Sequence, residues 1–192
     1  LVADALKEDS AAALAALKKM DICTVMLTGD RKENAERTAK ELSLDRFYSE
    51  LLPEEKLQIA EELMAKKDKN STLCFVGDGI NDAPVLAGAD VGIAMGALGS
   101  DAAVEAADVV LMNDRPSDVC KAIGICRKTM RIVKENIVFA LAVKFGVMLL
   151  IGLTAVLPGL NILESYAGEL AVFADVGVSV VAILNATRAL KS

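Results

Sequence analysis

The sequence predicts a parallel α/β domain followed by a two-helix hairpin of membrane-crossing length. Two observations predict the domain. Short apolar runs at residues 22–27 and 71–76 and a strand-like segment at 108–112 alternate with amphipathic or alanine-rich segments, the pattern of a parallel sheet with crossover helices. The first two runs end in Thr28-Gly29-Asp30 and Gly77-Asp78-Gly79, turns that lead into helices. A third observation predicts the hairpin. Residues 137–157 and 170–187 are apolar spans with one charge each, Lys144 and Asp175, separated by Pro158-Gly159 and a polar, acidic segment.

Taken in order, Ser10 is suited to cap a helix over 11–20, which ends in Lys18-Lys19 at the negative end of its dipole. Residues 22–27 follow as a buried parallel strand. Residues 31–42 form an amphipathic helix with Ala35, Ala39 and Leu42 on one face. A short extended piece, 47–50, precedes a helix from Pro53 to about Lys67. Proline suits its first turn, and Glu54 and Glu55 suit its positive end. The run 71–76 reads as a buried strand, and Asn81-Asp82-Ala83-Pro84 opens the next helix. Residues 89–96 read as a strand, 99–106 as a helix and 108–112 as a strand. Residues 116–135 read as a helix with a basic face of Lys121, Arg127, Lys128, Arg131 and Lys134.

Composition narrows the function. A net charge of −6 with no long basic run argues against a nucleic-acid partner. The absence of histidine removes the commonest general base and metal ligand. Cys23, Cys74, Cys120 and Cys126 form no CxxC pair and read as reduced core or helix-face thiols of a cytosolic domain. Leu1-Val2-Ala3-Asp4 has neither an initiator methionine nor a cationic leader, and is expected to continue a longer chain.

The chemistry concentrates after the strand ends. Asp78 and Asp82 fall at the carboxyl edge of the sheet, where open α/β folds bind ligands. Two carboxylates and the Asn81 carboxamide within five residues suit a hard cation such as Mg²⁺, and Gly77 and Gly79 let backbone approach a phosphate. A blander reading makes Asp82 a helix cap. The Thr28 hydroxyl can bond a phosphoryl oxygen, and Gly29 permits close approach; a plain turn before a helix explains the same tripeptide. Lys56 reads either as a solvated helix lysine or as a charge for a transferring phosphate.

Residues 77–84, GDGINDAP, resemble the hinge signature of P-type ATPases, cation pumps that pass through an aspartyl-phosphate and carry a haloacid-dehalogenase-like phosphorylation domain. Thr28-Gly29-Asp30 resembles the family's second motif in the expected order, and Lys56 in Pro53-x-x-Lys56 resembles its phosphate-adjacent lysine. The resemblance implies Mg²⁺ and ATP as cofactors. Asp78 and Asp82 would hold Mg²⁺, and Thr28, Lys56 and Asn81 would steady the phosphoryl oxygens. Asn136-Ile137, Ala142-x-Lys144 and Ala174-Asp175-Val176-Gly177 resemble the last two membrane helices of the branch exporting zinc, cadmium and lead. There the aspartate is a ligand of the transported metal and the lysine its counter-ion. Copper-exporting relatives carry Asn, Tyr, Met and Ser patterns instead. Glu169 stands about where that branch often has tryptophan, and reads as solvated at the membrane surface.

The family's DKTG motif, nucleotide-binding domain, actuator TGE loop and Cys-Pro-Cys helix have no counterpart in these 192 residues. The resemblance therefore implies the C-terminal part of a pump, inactive alone. Its divisions are a cytosolic phosphorylation domain at 1–118, a basic linker helix at 119–135 and a hairpin at 136–192, with spans at about 137–157 and 169–187. Basic residues flank both outer ends of the hairpin, so both face the cytosol of a multi-pass cell-membrane protein. The implied partners are the lipid bilayer, the N-terminal remainder of the pump and a divalent heavy-metal ion. The alternatives are a copper-type or other P-type ATPase, a soluble dehalogenase-like phosphatase, and a membrane-anchored remnant that binds a partner subunit.

Overall fold

Every strand pairing in the chain is parallel among the residues that the computed structural model describes, 6–77, 80–96, 101–154 and 166–190. Two compact units, Leu1–Lys121 and Ala122–Ser192, divide it.

The first unit alternates helix and strand: α1 (Ser10–Lys19), β1 (Val25–Leu27), α2 (Lys32–Glu41), β2 (Arg46–Tyr48), α3 (Pro53–Lys66), β3 (Cys74–Gly77), a 3₁₀ turn (Ile80–Asp82), α4 (Ala83–Gly88), β4 (Val91–Met95), α5 (Asp101–Ala106) and β5 (Val109–Leu111). The strands form two sheets, β1-β2 and β3-β4-β5. One edge of β1 and one edge of β3 thus carry no strand among the described residues. The expectation of fully buried strands fails for that reason: β1 is half-buried, and β3 alternates exposed and half-buried positions. Only β4, central in its sheet, has a run of buried residues, Gly92 to Ala94.

Small side chains make the core close-packed. Ala35 and Ala39 of α2, Ala60 of α3, Val85 and Leu86 of α4, Ile93 and Ala94 of β4 and Ala103 of α5 are all buried. Helix α4 lies so near β4 that a Cβ on Gly92 would sit 2.4 Å from the Leu86 carbonyl oxygen. Only glycine allows that approach.

The strands are shorter than the apolar runs, because aspartates intercept the ladder at its start. Each stands one residue before a strand and accepts an N–H from the preceding strand's side. The Thr24 N–H donates to Asp45 at 2.7 Å, the Leu73 N–H to Asp90 at 2.7 Å and the Gly92 N–H to Asp108 at 2.9 Å. These bonds hold the carboxyls of Asp45 and Asp90 below the usual aspartate range. The backbone bond to Thr24 dominates for the first, and the backbone bond to Leu73, then Lys67, for the second.

Two expectations for α1 and the cysteines are corrected. The cap of α1 is Asp9, with no side-chain bond to α1. Its carboxylate instead accepts the Ser117 N–H at 3.1 Å, a donor that the first turn of the helix beginning at Pro116 leaves unsatisfied. Lys7 and Asp114 pair beside it. Cys23 and Cys74 are exposed rather than core residues; Cys126 is exposed on a helix face as expected, and Cys120 is half-buried, its thiol on the Ala13 carbonyl.

Helix α6 runs without a break from Pro116 to Thr154, so the basic segment and the first apolar span are one 39-residue element. No glycine pair or proline interrupts it, and it is about 58 Å long at 1.5 Å per residue. In the second unit it meets α7 (Ala167–Ala186), which ends in a 3₁₀ turn, Thr187–Leu190. Both helices are long and apolar enough to cross a membrane. The expected connecting turn at Pro158-Gly159 lies outside the described residues.

Candidate functional site

The carboxyl ends of β1 and β3 carry the first site. At β1, the Thr28 N–H continues the ladder to the Tyr48 carbonyl at 3.0 Å, which fixes the residue at the strand end. Its hydroxyl donates to Asp30 at 2.9 Å and accepts the Asp30 N–H at 3.1 Å. Asp30 thus orients the threonine. The Thr28 carbonyl accepts the Leu51 N–H at 3.1 Å, one residue before the Leu52 cap of α3. The Glu55 carboxylate accepts the Leu52 N–H at 2.7 Å and secures that cap, so the first turn of α3, with Lys56, is anchored beside Thr28. A Cβ on Gly29 would lie 3.3 Å from the Leu51 carbonyl oxygen, which explains the small residue there.

Lys56 reaches from α3 to the end of β3. Its ammonium donates to Asp82 Oδ1 at 2.9 Å, with the two side chains only 19% and 14% exposed. This settles two open readings. Lys56 is not a solvated helix lysine, and Asp82 makes no side-chain cap on α4. Asp82 Oδ2 instead faces Gly77, where a Cβ would fall 3.0 Å from that oxygen and 2.9 Å from the Asp82 Cβ. Gly77 is the space that the carboxylate occupies. Asn81 stands exposed next to Asp82. Asp78 and Gly79 lie outside the described residues.

Among the described residues Asp82 is the carboxylate that a hard cation such as Mg²⁺ could use at this strand end. One oxygen of Asp82 is neutralised by Lys56 and the other lies over a glycine strand end. Mg²⁺ is commonly held by one or two carboxylates with water and phosphate oxygens completing the shell. No group of three or more His, Cys, Asp or Glu side chains converges among the described residues, so neither unit carries an all-protein cage there.

The second site is in the helical unit. Lys144 of α6 and Asp175 of α7 pair at 2.9 Å, yet their side chains are 61% and 62% exposed. They border a cleft of about 510 Å³, walled by Val147, Ile151 and Val172. Toward the other end of the helices is a polar cluster that the sequence reading missed. The Asn136 amide donates to the Ala182 carbonyl at 3.2 Å, and the Asn185 amide donates to Asn136 Oδ1 at 2.8 Å. Arg188 donates to Glu135 at 3.0 Å and to Asn185 Oδ1 at 2.7 Å. An asparagine at the polar end of each apolar span was the available signal.

Comparison with known proteins matches both units together. Residues 1–90 match the haloacid dehalogenase-like hydrolase family. The whole chain is 55% identical to the zinc-transporting ATPase of Synechocystis sp. and 49% identical to the cadmium, zinc and cobalt-transporting ATPase of Bacillus subtilis. It spans 25% and 26% of those relatives. A crystal structure of a zinc-transporting PIB-type ATPase in its E2·Pi state superposes with a TM-score of 0.82 at 36% identity, over 97% of this chain and 28% of that one. The parallel α/β unit is haloacid-dehalogenase-like, and the two apolar helices are those of a membrane protein with that unit on the cytosolic side. The chain belongs to the heavy-metal-translocating P-type ATPases, and corresponds to about a quarter of the length of their zinc- and cadmium-transporting members.

Proposed function

We propose that this chain supplies two parts of an ATP-driven pump that exports Zn²⁺, Cd²⁺ or Pb²⁺ from the cytosol. One part is the Mg²⁺ and phosphate half-site, and the other is the intramembrane carboxylate that meets the transported metal. Residues 1–118 serve as phosphorylation domain, 119–135 as linker helix and 136–192 as transmembrane hairpin.

In the first part, an aspartate from outside this chain accepts the phosphoryl group of ATP. The unpaired edges of β1 and β3 suit a strand bearing that aspartate. Asp82, with Asp78, would hold Mg²⁺, which when bound neutralises charge on the phosphoryl oxygens. Lys56, held in place by Asp82, adds its positive charge there, and the Thr28 hydroxyl turns from Asp30 to donate to a phosphoryl oxygen. Asn81 stands beside them with a further donor.

The observation that carries the metal reading is the Lys144–Asp175 pair, two charges in contact on helices of bilayer length. Ionisable groups at such depth mark pathways or partners. Asp175 offers Zn²⁺ one oxygen, and the remaining ligands of a tetrahedral site come from the rest of the pump. When the metal leaves, Lys144 is placed to take the carboxylate, so no second cation is needed to neutralise it. Zinc-stimulated ATPase activity of the complete protein tests this. Asp175→Ala should abolish it with the protein still inserted. Activity near wild type would remove Asp175 from the transport site.

A further inference from the structure

Glu135, Asn136, Asn185 and Arg188 form a clamp at one end of the helical unit, and we propose that it sets the register in which Lys144 and Asp175 meet. The inference rests on the transport role of Asp175 for its functional consequence, but not for its structural content.

Apolar packing alone fixes register weakly here. Hydrocarbon surroundings give helices little apolar drive to associate, so interhelical hydrogen bonds and close packing decide the alignment. Within this unit only Ile132 of α6 and Val178 of α7 are buried apolar side chains among the described residues. Outward apolar side chains such as Leu149 and Phe173 tolerate a sliding helix, because one lipid-facing position is much like the next.

The polar contacts do not tolerate it. Asn136 uses both ends of its amide, donating to Ala182 and accepting from Asn185. Those two partners are three residues apart, so they bracket Asn136 on α7. A shift of one turn, about 5.4 Å, would break both bonds. Asn185 is held in turn by Arg188, whose charge is matched by Glu135 next to Asn136. Lys144 lies eight residues beyond Asn136, about 12 Å along α6. Asp175 lies seven residues before Ala182 and ten before Asn185, about 10–15 Å along α7. The two distances agree, so satisfying the clamp brings the ammonium and the carboxylate level. Asn136 and Asn185 are half-buried between the helices, whereas both side chains of the Lys144–Asp175 pair are more than half exposed, so the clamp is the more enclosed of the two contacts. These four are positioning residues.

The test uses the complete pump with cysteines in place of Val147 and Val172, which line one cleft in the observed register. A second pair, Val147→Cys with Gly168→Cys, reads a slip of one turn, since Gly168 lies one turn from Val172 and does not line that cleft. With the clamp intact, oxidation should favour the 147–172 cross-link. Asn136→Leu with Asn185→Leu removes both amides together, so neither is left facing a missing partner, and Arg188 keeps Glu135. That double variant should lower the ratio of the two cross-links, and raise the zinc concentration for half-maximal ATPase activity, by about tenfold, the scale of lost interhelical hydrogen bonds. If the leucine variant does not insert, Asn185→Ser, too short to reach Asn136, reads the same ratio. An unchanged ratio in the asparagine variants overturns the clamp. A lost ratio with an unchanged zinc response leaves the clamp standing and removes Asp175 from transport.

Discussion

Two Lys–Asp pairs of the same length, 2.9 Å, occupy the two units, and their surroundings differ completely. Lys56 and Asp82 are 19% and 14% exposed, whereas Lys144 and Asp175 are 61% and 62% exposed. The first pair is enclosed by its own fold. Anchored α3 delivers the lysine, and a glycine clears space for the carboxylate. The second pair stands open on a cleft. Distance alone would rank the pairs as equals. Enclosure shows that one is a finished structural element, whereas the other, on the function proposed above, is half of a site.

The strongest way to break this comparison is to delete one partner of each pair in the complete protein. Asp82→Ala should abolish ATPase turnover, by about 10³-fold. It should also destabilise the α/β unit by about 3 kcal/mol, because Lys56 remains enclosed without a partner. Adding Lys56→Met should restore thermal stability and not turnover. Asp175→Ala should leave unfolding temperature unchanged, since the exposed Lys144 can extend toward a polar surface. Equal losses of stability in the two single variants would mean that the exposures do not distinguish the pairs.

A smaller perturbation sharpens the contrast. Gly77→Ala places a methyl group 3.0 Å from Asp82 Oδ2 without touching either charge. The carboxylate must move, so the Mg²⁺ concentration supporting half-maximal phosphorylation should rise about 10- to 100-fold, as when a supporting group near a metal ligand is lost. A glycine near the open pair has no such constraint: a Cβ on Gly177 would meet nothing within 4 Å. Gly177→Ala should therefore be close to silent in the same assay.

How much of this was legible in the sequence follows the same division. The order of elements, the parallel sheet and the strand-end placement of Thr28 and Asp82 came from apolar runs broken by glycine and aspartate. Family resemblance singled out Lys56, and the facing of Lys144 and Asp175 came from their depths along two spans. The strand starts were misjudged because Thr24 and Leu73 look like ladder residues, and only a side chain 17 to 21 residues away, Asp90 or Asp45, shows that their N–H groups are taken. The Asn136–Asn185 contact was missed for the same reason. It joins residues 49 apart, and no local pattern encodes which turn of one helix faces which turn of the other.

The smallest expected effect concerns carboxylates at the opposite end of the strands. Asp45 and Asp90 have depressed folded-state values, so their stabilisation is complete above the ordinary aspartate range and is lost as pH falls through the lower folded value. Amide exchange at Thr24 and Leu73, corrected for intrinsic rate, should stay slow down to about pH 4 and quicken below it. Quickening already near pH 6 would point to another group.

The strand order carries a consequence for how the chain acquires its fold. Each pairing joins a strand to the next one in sequence, Val25 with Arg46, Cys74 with Val91 and Ile93 with Val109. Loops of this size close quickly, so each pair can form soon after its second strand leaves the ribosome. Among the described residues the two sheets are not joined by any such neighbouring strand. On the function proposed above their union waits for a strand from outside these residues, which makes it the slow, non-local step of assembly. Until then the open edges of β1 and β3 are where a nascent chain would mispair.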